Sequence, residues 1–180
     1  SGLGVSSKTS VGYFISKYKA EQLIINSGLN YTIFRPSYIV GKDDLFTKFL
    51  KKQIKIKTIE IPGSGKYSIQ PISINDVVKI IFQSFNEIKF KNKICDLVGP
   101  DYLTFEQYVK LFCKGSKIKI KKINLETAYY DAINNKNSNF GIDDLNILVG
   151  DFKGNYKQLE KITQIKFESV VELLKSGRLL

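Results

Sequence analysis

The chain has 180 residues, of which 43% are hydrophobic and 25% charged, so it matches about one ordinary folded domain and not a disordered or fibrous protein. It carries 28 basic and 17 acidic residues, for a formal charge of +11, yet only Arg35 and Arg178 are arginines. Lysine lacks the bidentate geometry with which arginine reads bases and phosphates, so the composition does not favour a basic nucleic-acid-associated domain.

Histidine is absent, and the two cysteines, Cys95 and Cys113, stand alone in the sequence. This argues against a zinc site and against cysteine–histidine catalysis, so we predict no metal. Isolated thiols are typical of a reducing compartment. We find no signal-peptide pattern and no apolar stretch long enough to span a bilayer, so the sequence predicts a cytoplasmic protein.

The first part of the chain alternates between helical and strand patterns. Helices are predicted at 13–26, 43–53, 73–85 and 104–112, and strands at 30–41, 54–61, 93–99 and 117–123. The run 30–41 is almost continuously apolar, which predicts a strand buried on both faces. Segment 62–73 is predicted to be a hairpin turn. A helix, a short turn and a buried strand form the αβ half of a βαβ unit, so the fold class is α/β.

The second part of the chain is different in composition. Residues 124–164 are rich in asparagine, with predicted helices near 125–133, 142–149 and 155–162, and a closing helix at 167–177. This order predicts a smaller, mixed and mostly helical region after the α/β part.

One pair in the first helix carries possible chemistry. Tyr13 and Lys17 are four residues apart, and such residues share a helix face. A free phenol titrates near pH 10, but an ammonium about 4 Å away stabilises the phenolate by up to roughly 4 kcal/mol at an effective dielectric near 20. The pair can then pass a proton to a carbonyl, or take one from an alcohol, while a hydride moves.

Several further motifs surround this pair in a fixed order. They are "SGLGV", "YFISKYKAEQLIINSGLNYTIFRPSYIVG", "IPGSGKYSIQPISINDVVKII" and "LVGPDYLTFEQ", which together reach from residue 1 to about 112. In this series the chain resembles the later half of the atypical or extended short-chain dehydrogenase/reductases. It resembles especially the group like the NDUFA9 subunit of respiratory complex I and the NmrA-like proteins.

The resemblance implies roles for particular residues. Tyr13 matches the active-site tyrosine of the family, and Lys17 matches the lysine that also bonds the nicotinamide ribose. Ser1 lies where a family serine or threonine polarises the substrate carbonyl. After the strand, family members line the nicotinamide with residues that match Pro36, Ser37, Tyr38 and Ile39.

The resemblance also implies a domain plan. Residues 1–100 would form the C-terminal portion of a Rossmann-like NAD(P)-binding domain, with 43–73 as a substrate-side insertion, and 101–180 would form the smaller substrate-side region. The glycine-rich pyrophosphate fingerprint opens the first βαβ unit of such a fold. It is missing from this sequence, so we expect the N-terminal half of the Rossmann domain to precede Ser1 and the isolated fragment to be incompetent.

Two functions follow from this resemblance. The first is hydride transfer between carbonyl and alcohol, or sugar-nucleotide chemistry of the epimerase type, with NAD or NADP as cofactor and a small molecule as substrate. The second is a non-catalytic NAD(P)-binding sensor or assembly protein on the same fold.

Overall fold

The computed structural model of the chain describes residues 1–179. It contains helices α1 to α8 at Gly12–Ile25, Leu45–Lys55, Ile74–Asn86, Phe105–Phe112, Leu125–Asn134, Ile142–Val149, Tyr156–Thr163 and Val170–Lys175, with a short 3-10 helix at Ile88–Phe90. Strands β1 to β8 lie at Thr32–Pro36, Ile39–Val40, Thr58–Pro62, Ser68–Ile69, Ile72–Ser73, Lys93–Leu97, Leu103–Thr104 and Lys119–Ile123. The predicted α/β fold class is confirmed.

The strands pair mostly in parallel. β1 pairs with β6, β2 with β5 and β3 with β8, all parallel, whereas β4 and β7 are antiparallel. The predicted strand 30–41 is therefore two strands, broken at Ser37 and Tyr38, and it changes partner from β6 to β5 at the break. Pro36 lacks an amide donor, which makes it a natural last residue for β1.

Two expectations for these strands were wrong. The segment 62–73 is not a hairpin, because β3 pairs with β8 and β4 pairs with β7, both distant in sequence. In β1 only Ile33 is buried, and the other four residues are half-buried, so this strand is not buried on both faces. Arg35 points its guanidinium at Glu21 of α1, which keeps that face of the strand partly polar.

Local signals fixed the helix starts. The hydroxyl of Ser73 accepts from the amide of Asn75 at the start of α3, and Thr104 forms a capping box with Gln107 at the start of α4. The apolar residues of α1 do not all face the core. Its inward face consists of Phe14, Tyr18, Glu21 and Ile25, whereas Leu23 is 75% exposed.

Two apolar clusters form the core. One contains Ile80 of α3, Phe90 of the 3-10 helix, Cys95 of β6 and Leu159 of α7. The other lies between α2, β3, α4 and α8 and includes Leu50, Ile59, Phe112 and Val170. Within residues 1–179, no helix combines the length and the apolarity that crossing a membrane requires.

Candidate active site

Helix α1 holds Tyr13 and Lys17 beside each other, one turn apart. The Nζ of Lys17 lies over the Tyr13 ring, 5.4 Å from its centroid, and both side chains are half-buried. An ammonium at this distance from an aromatic face is within the range of a cation–π interaction. The helix therefore presents a phenol and a cation together.

Tyr13 forms part of the wall of a cavity of about 170 Å³. The same cavity is lined by Pro36, Ser37 and Tyr38, which directly follow the body of β1. The carboxyl ends of β1 and β6 meet here, since Pro36 is paired with Leu97 and the amide of Ser37 donates to the carbonyl of Leu97 at 3.2 Å. Ligands of open α/β sheets bind outside this end of the strands.

The first residues of the chain form the other side of the cavity. The amide of Leu3 donates to the carbonyl of Pro36 at 2.8 Å, so the segment runs next to the end of β1. Gly2 lies against Tyr13, and a Cβ added there would be 3.3 Å from the ring. A larger residue at this position would therefore need the Tyr13 ring to shift by a few tenths of an ångström.

An ion pair fixes the angle between α1 and β1. Glu21 is 1% exposed, and its carboxylate accepts from Nε of Arg35 at 2.8 Å and from Nη2 at 2.6 Å. Burial alone would raise the pKa of Glu21, but the hydrogen bonds from Arg35 and Ser1 and the positive charge of Arg35 outweigh it and lower the pKa below its usual value. The pair thereby holds Tyr13 at a set position relative to Pro36.

Not every residue named from the sequence reaches the cavity. The hydroxyl of Ser1 donates to Glu21, and Ser1 is not among the cavity-lining residues. Ile39 lies in β2, pairs with Ile72 and packs on the core cluster that contains Ile80. The structure therefore brings Tyr13 and the residues 36–38 to the cavity, with Lys17 beside the Tyr13 ring but outside the cavity wall. Ser1 and Ile39 also lie outside the wall.

Phe152 belongs to the cavity, and sequence reasoning missed it. Its ring contacts Phe14 edge-on, with 5.1 Å between centroids, and it lies against backbone at Gly4 and Gly150, where an added Cβ would overlap it. The only signal in the sequence is the glycine at each end of the motif "GDFKG", residues 150–154. These glycines indicate a tight turn but not which part of the fold the turn contacts.

Hydrogen bonds hold segment 150–155 against the end of the sheet. Asp151 accepts from the amide of Ser68 at 2.6 Å. The amide of Gly154 donates to Oε1 of Gln70 at 2.9 Å, and the buried Gln70 in turn donates to the carbonyl of Gly99 at 2.9 Å. These bonds hold Phe152 over the cavity that contains Tyr13.

Tyr38 stands in a different electrostatic environment from Tyr13. Burial, and then the negative charge of Asp144, raise the pKa of the Tyr38 phenol well above its usual range. At neutral pH its hydroxyl is therefore protonated and able to donate a hydrogen bond.

Comparison with known proteins gives one curated relative of interest. A stretch of 107 residues is 27% identical to the Prestalk A differentiation protein A of Dictyostelium discoideum, which is 58% of this chain and 35% of that protein. The chain thus spans about a third of the length of this relative. No protein-family model matches the chain.

Solved structures give a likeness over almost the whole chain. A nucleoside-diphosphate-sugar epimerase from Staphylococcus aureus has a TM-score of 0.72 at 16% identity, covering 97% of this chain and 62% of the other. An NADPH-dependent quinone oxidoreductase from Escherichia coli, solved with NADPH, also has a TM-score of 0.72 at 16% identity, covering 98% of this chain and 63% of the other. A UDP-glucose 4-epimerase from Thermotoga maritima has a TM-score of 0.61 at 18% identity, covering 93% and 51%.

At these identities the likeness concerns the fold. The chain spans between about half and about two thirds of the length of these solved proteins. The protein therefore has the Rossmann-like fold of the NAD(P)-binding epimerases and reductases.

Proposed function

We propose that the protein is an NAD(P)-dependent reductase of the short-chain dehydrogenase/reductase type, in which Tyr13 and Lys17 handle the proton that accompanies hydride transfer. The observation that carries this proposal is the position of Tyr13. It lines a cavity at the carboxyl end of β1, with Lys17 one turn further along the same helix. The NDUFA9-like and NmrA-like assignment is part of the proposal and rests on the quoted motifs.

The residues of the chain fit one end of a nicotinamide dinucleotide. The ammonium of Lys17 and the hydroxyl of Tyr13 are donors for ribose hydroxyls, and Pro36 and Ser37 offer backbone and apolar contacts beside the nicotinamide. No strand of residues 1–179 is followed by the Gly-x-x-Gly-x-x-Gly turn that receives a pyrophosphate. The chain thus supplies residues for the nicotinamide end of the cofactor.

The Tyr13–Lys17 pair supplies the proton that carbonyl reduction needs in addition to a hydride. A reduced nicotinamide bound beside Pro36 and Ser37 would supply the hydride, with its two electrons, that the carbonyl carbon accepts. Tyr13 gives its phenolic proton to the carbonyl oxygen, which yields the alcohol. The phenolate left on Tyr13 is stabilised by the Lys17 ammonium and recovers a proton from solvent. The reverse sequence oxidises an alcohol.

The experiment compares two tyrosines of one helix. The longest natural form of the protein that carries this chain is assayed with NADH and NADPH against a panel of carbonyl compounds, together with Tyr13→Phe and Tyr18→Phe. We expect Tyr13→Phe to lose about 10²- to 10⁴-fold in kcat, because it removes the proton donor. It should still bind the cofactor, because Lys17, Pro36 and Ser37 remain. Tyr18→Phe, on the same helix but outside the cavity, should keep full activity. Equal turnover in the parent and in Tyr13→Phe would refute the proposal.

A second candidate is a sensor that binds the dinucleotide without turnover. The observation that favours it is Phe152, whose ring packs on Phe14 in the cavity wall and reduces the space left for a substrate. Binding of NADH or NADPH by calorimetry, with no reduction of any compound in the panel, would support the sensor. Reduction that depends on Tyr13 would exclude it.

A further inference from the structure

A second cavity, of about 360 Å³, adjoins the first. The two share Tyr38 and Ile147 in their walls, so they lie side by side with Tyr38 at their boundary. The second cavity is walled mainly by aromatic rings, namely those of Tyr38, Phe46, Phe49, Phe105 and Phe140.

These rings hold one another in place. Phe46 lies between Tyr38, at 5.7 Å between centroids, and Phe105, at 5.6 Å. Phe49 lies one turn further along α2 and is 5.6 Å from Phe140. Such aromatic pairs stabilise one another beyond the area they bury, so the wall of the cavity is formed before any ligand binds.

The charged residues in the cavity walls indicate which class of ligand fits. Among residues 1–179, neither cavity is lined by a lysine or an arginine. The one charged residue is Asp144, whose Oδ2 accepts from the amide of Gly141 at 2.9 Å. Phosphate groups are normally held by arginine, lysine or helix N-termini, and a carboxylate nearby repels them. The lining thus offers no cationic side chain to a nucleoside diphosphate, although the chain as a whole is strongly basic. The helix N-terminus nearby, at the start of α2, is already capped by Asp44, which accepts from the amides of Phe46 and Thr47.

The polar group at the junction is a donor. Tyr38 lines both cavities, and its phenol stays protonated at neutral pH for the reasons given above. A protonated phenol between an aromatic cavity and the Tyr13 cavity suits a ligand with a flat apolar body and a single acceptor oxygen.

We propose that the second cavity is the substrate subsite, and that the substrate is an uncharged aromatic carbonyl compound instead of a sugar nucleotide. This inference rests on the proposed reductase function. The ring system of the substrate lies among Phe46, Phe49 and Phe140, and its carbonyl points past Tyr38 towards Tyr13.

The test measures binding, without any nicotinamide cofactor. The probe is 2-acetylnaphthalene, titrated by calorimetry into the full chain and compared with UDP-glucose. Two variants alter the wall: Phe49→Ala removes one ring, and Ile147→Trp fills the junction. Phe82→Ala is the matched control, because Phe82 is 70% exposed on α3 and lines neither cavity.

We expect 2-acetylnaphthalene to bind more tightly than UDP-glucose. Phe49→Ala should raise its Kd about tenfold, which corresponds to about 1.4 kcal/mol, and Ile147→Trp should raise the Kd further. Phe82→Ala should leave the Kd unchanged. Tighter binding of UDP-glucose, or a Kd for 2-acetylnaphthalene that Phe49→Ala does not change, overturns the assignment.

The result separates this inference from the proposed function. If 2-acetylnaphthalene binds as expected but no carbonyl compound is reduced with NADH or NADPH, the subsite stands and the reductase function fails. If a sugar nucleotide is turned over in a Tyr13-dependent way and 2-acetylnaphthalene does not bind, the substrate class alone is wrong.

Discussion

The buried pair Glu21–Arg35 gives the sharpest prediction about the site, because it joins α1, which carries Tyr13, to β1, which ends at Pro36. Glu21→Gln keeps the shape of the side chain and removes its charge. The guanidinium of Arg35 then faces a neutral amide in place of a carboxylate that accepts at 2.6 and 2.8 Å.

The cost follows from the burial of the two partners. Breaking a buried ion pair by removing one charge costs about 3–5 kcal/mol. Glu21 is almost fully buried, but the Arg35 side chain is 24% exposed and water can still solvate it, so we expect the lower end, about 3 kcal/mol. A domain of this size loses about 2–4 °C in Tm per kcal/mol, which gives a fall of roughly 6–12 °C.

The assay is unfolding followed by circular dichroism at neutral pH, by heat and by urea, with an exposed pair as the control. Glu87 bonds Lys89 at 2.8 Å, and the two side chains are 39% and 38% exposed. The same substitution there, Glu87→Gln, should cost less than about 1 kcal/mol. The reasoning is refuted if Glu21→Gln costs no more than Glu87→Gln.

The pH dependence gives an independent check. The pKa of Glu21 is lowered in the folded protein, so the pair adds stability above the unfolded value of about 4.3 and loses it as the pH falls through the folded pKa. The difference in stability between the parent and Glu21→Gln should therefore be constant near neutrality and shrink below about pH 4. A difference that grows on acidification would contradict this sign.

Other substitutions test the positioning of the site. In Gly99→Ala the new Cβ would overlap the carbonyl oxygen of Pro71, so we expect a loss of about 3 kcal/mol in urea unfolding. Gly12→Ala meets no atom within 4 Å and should instead stabilise α1 by about 0.5–1 kcal/mol. Asp44 accepts from the amides of Phe46 and Thr47 at 2.8 and 2.9 Å, so Asp44→Ala should cost about 1–2 kcal/mol and Asp44→Asn much less. Equal changes in the free energy of unfolding for the two glycine variants, or for the two Asp44 variants, would contradict these explanations.

Features set by neighbouring residues could be predicted from the sequence. The starts of α3 and α4 depend on Ser73 and Thr104, whose side chains bond amides two or three residues away. The proximity of Tyr13 and Lys17 depends only on the 3.6-residue period of a helix, and the structure shows their side chains together. Local geometry was sufficient in these cases.

Features set by distant residues could not be predicted in the same way. The strand β3 carries no local mark that its partner is β8, about 60 residues later, and a turn with two glycines favoured a hairpin instead. Phe152 reaches the cavity only because Ser68 and Gln70 bind segment 150–155. The resemblance places Ser1 at the position of a family serine, but its hydroxyl donates to Glu21 and Ser1 does not line the cavity.

The two phenols of the cavity are set apart by their charged neighbours, and this has a consequence for the proposed mechanism. Tyr13 has the ammonium of Lys17 over its ring, whereas Tyr38 has burial and the carboxylate of Asp144, both of which oppose ionisation. Groups whose environments differ in this way take different roles in acid–base chemistry. Tyr38 can donate a hydrogen bond to a substrate oxygen but is a poor source of a proton near neutral pH, so it will not replace Tyr13 in Tyr13→Phe. Under the proposed function, the activity lost in that variant should stay lost up to about pH 9, since the raised pKa of Tyr38 keeps its phenol protonated in that range.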